Sequence, residues 1–285
     1  VRIHVDHQLK RKWRKTTWAI GLRAATQQDP EVAVFFNRLR SGGSGGNNLR
    51  VLLKERIIYA TVLKSASSRI RRTLCLIAGM RSRSLNPWRW HKIGSPPPLK
   101  SIPPGAFYRL AHDPMALRFS FVRNPYDRLV SCWADKFQDR PLVMSKLFTK
   151  GNMTIDRYLK VRAEIDPKLP YGADKTLSFP DFVTFATAYG FRGPDGHIAA
   201  QARALDLPGI NFDFIGKVET FEQDFSRVLD HVRADDEMRR TAIGRINPSE
   251  RSGASEYYTH ELAERVYRAY EADFDQFGYP RALPN

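Results

Sequence analysis

Two short stretches of the chain collect residue types suited to gripping an anion. The first is Lys64-Ser65-Ala66-Ser67-Ser68-Arg69, set between an apolar run from Ile57 to Leu63 and apolar residues at Ile70, Leu74, Ile77 and Ala78. The run reads as a buried strand, and the i, i+4, i+7, i+8 spacing reads as an amphipathic helix ending near Gly79. A loop joining strand to helix gathers backbone N–H groups and the positive end of the helix dipole at one point. Lys64 adds a full charge there, and Ser65, Ser67 and Ser68 add hydroxyl donors, so the loop has the makings of a phosphate or phosphosulfate cradle. The same residues also read as a serine-rich helix cap, and the Walker pattern closing in Gly-Lys-Ser/Thr is absent.

The second stretch places Arg123 at the end of an apolar run, Phe119 to Val122, with Ser131 eight residues on. Asn124-Pro125 supplies an N-cap and a proline at the first helical position, and Leu129, Trp133 and Phe137 continue the helix. At about 100° per residue, Ser131 returns near the face of Asn124, offset by about 10 Å along the axis. A guanidinium fork and a hydroxyl can hold one phosphate from two sides. The competing reading is an ion pair between Arg123 and Asp127. For proton transfer the candidates are histidines. His112 stands out by position, because it lies shortly before the Arg123 strand, and His197 is a further candidate. His91 is third, His4 and His7 lie in the N-terminal stretch, and His231 and His260 sit near helix ends.

The elements that would position these residues alternate. Beyond the two strand-loop-helix units, Phe212 to Lys217 reads as a short strand. Thr220 and Gln223 read as a capping box for a helix bearing Phe221, Phe225, Val228, Leu229 and Val232, and a last helix covers about Thr259 to Phe274. The Pro-rich stretch from Pro96 to Pro104 reads as an extended surface connection. Alternation of this kind predicts an α/β fold with a P-loop-like, or Rossmann-like, parallel sheet flanked by helices. Residues 1–50 read as a basic, partly helical, peripheral arm ending in the Gly/Ser linker Ser41 to Gly46, and residues 51–285 as one catalytic domain.

Lys and Arg outnumber Asp and Glu by 46 to 30, a net charge of +16, which favours anionic partners. The charge alone would fit nucleic-acid binding equally well. Arg69, Arg71 and Arg72 could meet an acidic glycan or form a solvated helix face. No stretch reaches the roughly 20 apolar residues of a membrane span. Cys75 and Cys132 are the two cysteines and suggest neither a disulfide framework nor a zinc site. Asn152-Met153-Thr154 is a lone glycosylation sequon. The chain starts at Val1, which leaves room for an upstream anchor or targeting segment.

Phe121-Val122-Arg123-Asn124-Pro125-Tyr126-Asp127-Arg128-Leu129-Val130-Ser131, continuing through Asp135-Lys136-Phe137, resembles the 3′-phosphate motif of the carbohydrate sulfotransferases that use 3′-phosphoadenosine 5′-phosphosulfate (PAPS). Leu63 to Arg72 is similar to their 5′-phosphosulfate loop. Asp195-Gly196-His197 with Gln201 resembles their Asp-x-His-Trp segment, and Phe212 to Thr220 their Tyr-Asp-Phe-Ile-Gly-Lys-Val-Glu motif. The likeness runs from Lys54 to Pro280. Leu63 replaces the usual proline, Ala66 the usual glycine, and Ile70 and Ile198 the usual tryptophans.

The resemblance implies a PAPS-dependent sulfotransferase acting on a carbohydrate hydroxyl. Lys64, Ser65, Ala66, Ser67, Ser68 and Arg69 would cradle the 5′-phosphosulfate, and Arg123 and Ser131 the 3′-phosphate. Lys64 would serve the leaving group, with His197 or His112 as general base, or a carboxylate in their place. No obligatory metal is expected, nor nucleic acid as a partner. Sulfotransferases of this kind occur in the Golgi lumen and as soluble bacterial enzymes. Few cysteines and no anchor favour a bacterial cytoplasm here, the alternative being a Golgi-lumen enzyme whose anchor has been removed. A P-loop-type kinase would need the missing Gly-Lys-Ser/Thr loop and an acidic magnesium ligand. A nucleic-acid-binding module would explain the charge but not the ordered motifs. An inactive sulfotransferase-like binding protein would share the nucleotide motifs without the chemistry.

Overall fold

The computed structural model describes residues 7–80, 96–138, 177–189, 196–243 and 254–284, with side chains from Thr16 onward. His4, His91, Asn152 and Asp195, and the side chain of His7, lie outside the described residues. The chain forms two compact units that exchange segments: Val1–Thr61, Ala66–Phe121 and Leu205–Ile246 in the first, and Val62–Ser65, Val122–Ala204 and Asn247–Asn285 in the second.

The first unit is built on a four-stranded sheet of order β1 (Leu49–Leu52), β2 (Ile57–Ala60), β3 (Leu117–Val122) and β4 (Phe214–Lys217). β2 and β3 run parallel, as the strand-loop-helix pattern predicts, but β1 folds back antiparallel on β2, making the sheet mixed. Helix α3 (Ser67–Ile77) returns from β2 and sets Ile70 and Leu74 against Leu52, Ile57 and Tyr59. Rings stack along this core: Tyr59 on Phe119 at 5.0 Å and Phe119 on Phe214 at 5.5 Å between centroids. Apolar residues on helix α8 (Phe221–His231) close it with Phe221, Phe225, Val228 and Leu229.

The N-terminal segment is helical but not peripheral. Helix α1 (His7–Gln28) leads to α2 (Pro30–Ser41), whose N-cap Asp29 accepts the Glu31 N–H at 2.9 Å. Val32, Phe35, Phe36 and Leu39, spaced i, i+3, i+4, i+7, are buried, and Phe36 lies 6.0 Å from Phe107 of helix α4 (Pro104–His112). Ser41 to Gly46 is a run of hydrogen-bonded turns. The Gly43 N–H donates to Asp206 at 2.9 Å, and Gly46 takes a left-handed φ of 73°, where a Cβ would also press on Leu99 at 3.0 Å and Leu39 at 3.1 Å. The Pro-rich stretch is more ordered than its composition suggests. The Pro97 carbonyl accepts the Val51 N–H at 2.9 Å, a 3₁₀ turn covers Leu99–Ser101, and Pro104 opens α4. No helix among the described residues is long and apolar enough to cross a membrane.

In the second unit, α5 (Pro125–Lys136), α6 (Phe179–Tyr189) and α10 (His260–Phe277) enclose a core of Tyr126, Leu129, Cys132, Phe182, Val183, Val266, Tyr270 and Phe274. The five-residue α7 (Gln201–Leu205) ends that unit's central segment, and α9 (Asp236–Ile243) belongs to the first. Asn124 caps α5 as expected, its Oδ1 accepting the Tyr126 N–H at 2.9 Å. The Thr220 capping box does not form. The Thr220 hydroxyl accepts no backbone N–H of the helix and donates to Asp224 at 2.6 Å, while the Thr220 N–H that Gln223 would accept goes to the Lys217 carbonyl at 3.3 Å.

Candidate active site

The loop after β2 departs from ordinary backbone at two positions, Lys64 at φ 69° and Ala66 at φ 54°. Left-handed backbone costs a non-glycine residue on the order of 1 kcal/mol. Ala66, where the resembling motif has glycine, is the N-cap of α3 and contributes no side-chain hydrogen bond. The opening turn of α3 therefore presents its N–H groups without a side-chain cap. Ser67 there is buried and Ser68 exposed. A phosphate-sized anion suits such a turn. Arg69 faces elsewhere. Its Nε donates to the Ala242 carbonyl at 3.1 Å and its Nη2 to that of Ile243, and its guanidinium lies 4.0 Å from the centre of the Phe221 ring. A cation at the C-terminus of α9 satisfies carbonyls that the helix leaves open.

In the second unit four residues of α5 with polar or thiol side chains recur at i, i+3, i+4, i+7: Arg128, Ser131, Cys132 and Asp135. The Lys64 ammonium is paired with Asp135, which also binds Lys136 at 2.9 Å. Burial pulls the Lys64 pKa down, against the raising influence of Cys132 and Asp135. Burial pushes the Asp135 carboxyl up, but Lys64 and Lys136 outweigh it and hold Asp135 well below the usual carboxylate range. Lys64 is thus a largely desolvated cation with a fixed counter-ion.

Arg128, 1% exposed, holds the backbone around this pair. Its Nε donates to the Leu63 carbonyl at 3.0 Å, and its Nη2 to the Gly196 and Ala199 carbonyls, each at 2.9 Å. One guanidinium therefore ties the residue before Lys64 to the residue before His197. Gly196 sits so close to Leu63 that a Cβ would lie 3.3 Å from its side chain.

Gln201 is wholly buried and makes a second tie. Its Oε1 accepts from the Ser65 hydroxyl and from the Arg123 N–H, both at 2.9 Å, and its Nε2 donates to the Arg123 carbonyl at 2.8 Å. Asp273 anchors Gln201 in turn, accepting the backbone N–H groups of Gln201 at 2.9 Å and Ala202 at 2.8 Å. Burial raises the Asp273 pKa, opposed by the charge of Arg128 and by those two N–H bonds.

Among the residues singled out from sequence, Lys64, Ser65, Arg123, Ser131 and His197 fall in the second unit. Arg123, Ser131 and His197 are half-buried. His112 belongs to the first unit, on the exposed last residue of α4, with Nδ1 2.8 Å from the Tyr108 carbonyl and its ring 5.3 Å from Phe35. His231 contacts the Glu55 carbonyl at 2.9 Å through Nε2, and His260 is exposed at the start of α10. Arg128, Asp135 and Asp273 escaped notice as working residues, and Gln201 was seen only as part of a motif. The signal for Arg128 and Asp135 was their i, i+7 spacing, with Ser131 and Cys132 between them on the same helix.

The profile of the Sulfotransferase family matches residues 47–280. The chain belongs to the Sulfotransferase family. Within that family it is 28% identical to carbohydrate sulfotransferase 14 of Mus musculus over 235 residues, 81% of this chain and 59% of the relative. It is 27% identical to carbohydrate sulfotransferase 8 of Homo sapiens over 250 residues, 80% of this chain and 54% of the relative. Carbohydrate sulfotransferase 12 of Mus musculus shares 27% over 172 residues, 58% of this chain and 40% of the relative. This family member thus spans about half the length of the curated relatives it matches. No solved structure gives a significant match.

Proposed function

We propose that the protein transfers the sulfuryl group of PAPS to a hydroxyl of a carbohydrate or glycoconjugate. The observation that carries this reading is the pair of ties in the second unit. Arg128 and Gln201 hold Lys64, Ser65, Arg123 and the His197 turn on one frame, and these are the positions that match the family's donor and acceptor motifs. Lys64 with Ser65 to Ser68 would hold the 5′-phosphosulfate, and Arg123 with Ser131 the 3′-phosphate. In the reaction the acceptor oxygen bonds to sulfur as the bond from sulfur to the 5′-phosphate oxygen breaks. Lys64 would meet the charge that develops on that leaving oxygen.

His197 is the better placed of the two leading histidines to take the acceptor's proton, because Arg128 binds the carbonyls preceding both His197 and Lys64. The imidazole of His112 is engaged within its own helix and against Phe35.

The test is calorimetric titration with adenosine 3′,5′-bisphosphate, for which saturable one-to-one binding is expected. Its absence would overturn the reading. Single-turnover transfer by His197→Ala is expected to slow by about 10²–10⁴-fold with affinity for the bisphosphate retained. Wild-type rates in this variant would remove His197 from the role.

A further inference from the structure

Two placements that cost a fold stability meet at one ion pair of the second unit. Lys64 holds a left-handed backbone, φ 69°, and its side chain is 13% exposed. A non-glycine residue is strained in that region, and burial opposes its charge. Its partner Asp135 is the next-to-last residue of α5. A helix C-terminus carries partial negative charge, so a carboxylate in the last turn works against the helix. Neither residue stands where local stability would put it, and such placements concentrate at working sites.

The Lys64 ammonium donates to Asp135, which also binds Lys136 at 2.9 Å, so one carboxylate is shared by two cations. Burial favours the neutral amine of Lys64. Cys132 and Asp135 oppose that and Lys136 adds to it, all three standing on α5. Burial of Asp135 works toward its neutral form, but Lys64 and Lys136 outweigh it and keep the carboxylate ionised. Asp135 is therefore a fixed anion and a poor proton acceptor. The chemistry assigned to Lys64 needs the cation and not the amine, because only a positive charge stabilises the 5′-phosphate oxygen as its bond to sulfur breaks. A desolvated lysine stripped of its counter-ion sheds its proton more readily.

We propose that Asp135 is a positioning residue for sulfuryl transfer, acting through Lys64: it keeps the ammonium charged and fixed for the leaving oxygen. This rests on the sulfotransferase reading and adds to it the residue that maintains its lysine.

The experiment pairs competitive acetylation of Lys64, followed by mass spectrometry from neutral to alkaline pH, with the pH profile of kcat/KM for PAPS. Acetylation titrates the amine directly and needs no substrate. Asp135→Asn keeps the shape and an oxygen acceptor but removes the charge. In this variant Lys64 is expected to lose its proton about one pH unit or more below wild type. The alkaline limb of kcat/KM, a property of the free enzyme, should move down with it, so that the loss of rate is larger above the limb than below it. Asp135→Glu should return both toward wild type. Lys136→Gln, which leaves Asp135 to Lys64 alone, should move the titration to higher pH. Thermal melting checks folding, and if Asp135→Asn fails to fold, Lys136→Gln decides. Lys64 titrating alike in wild type and the folded variants overturns the role. So does a rate loss of equal size at every pH, which marks a merely structural pair, and so does a moved titration with an unmoved limb, because transfer would then not use the Lys64 charge. Failure of wild type to turn over PAPS would instead overturn the sulfotransferase reading, while acetylation would still show whether Asp135 holds the charge.

Discussion

Lys64→Ala is expected to lower turnover by about 10²–10³-fold while weakening adenosine 3′,5′-bisphosphate binding far less. The side chain is 13% exposed, so its charge acts through little water. That charge matters most when the leaving oxygen becomes anionic, and the product nucleotide alone calls on it less. The substitution should not collapse the site, because Asp135 keeps Lys136 as a counter-ion at 2.9 Å and the Leu63 carbonyl stays bound to Arg128. A mass-detected PAPS turnover assay, paired with calorimetry, checks both halves. Turnover within a few-fold of wild type would exclude the leaving-group role.

Arg123→Ala is expected to erase most of the preference for adenosine 3′,5′-bisphosphate over adenosine 5′-monophosphate. A lost bidentate contact to phosphate is worth about 1.5–3 kcal/mol, or roughly 10- to 150-fold in the affinity ratio. The backbone of Arg123 is held at both its N–H and its carbonyl by Gln201, so truncating the side chain leaves the turn where it is. The change in the ratio then reports on the guanidinium itself. Equal preference in wild type and variant, measured by calorimetry, would assign the 3′-phosphate to another residue.

The parts of the fold legible in the sequence were those set by local periodicity. Strand β2, helix α3 and the Asn124-capped α5 emerge from apolar spacing and capping residues within a few positions of one another. Strand β1 was missed because it has four residues, follows a Gly/Ser run, and is interrupted by the charged Arg50. The order in the Pro-rich stretch comes from pairing with β1, which no local pattern announces. The same divide runs through the candidate site. Lys64, Arg123 and Ser131 stand out by type and position. The groups that hold them in place act across the chain: Arg128 reaches Leu63 over 65 residues, and Gln201 reaches Arg123 over 78 and Asp273 over 72. Buried Arg, Gln and Asp look like surface residues until their partners are known, because only those partners make burial tolerable.

The amide of Gln201 has a consequence beyond geometry. By matching the N–H and carbonyl of Arg123 while accepting the Ser65 hydroxyl, it takes the place of a strand neighbour for a residue at the end of its strand. The conformational entropy of aligning the two phosphate grips is thereby lost during folding and not at each encounter with the donor. Donor capture should accordingly be a docking onto a rigid template, and product release should need no unravelling of the loops that hold it.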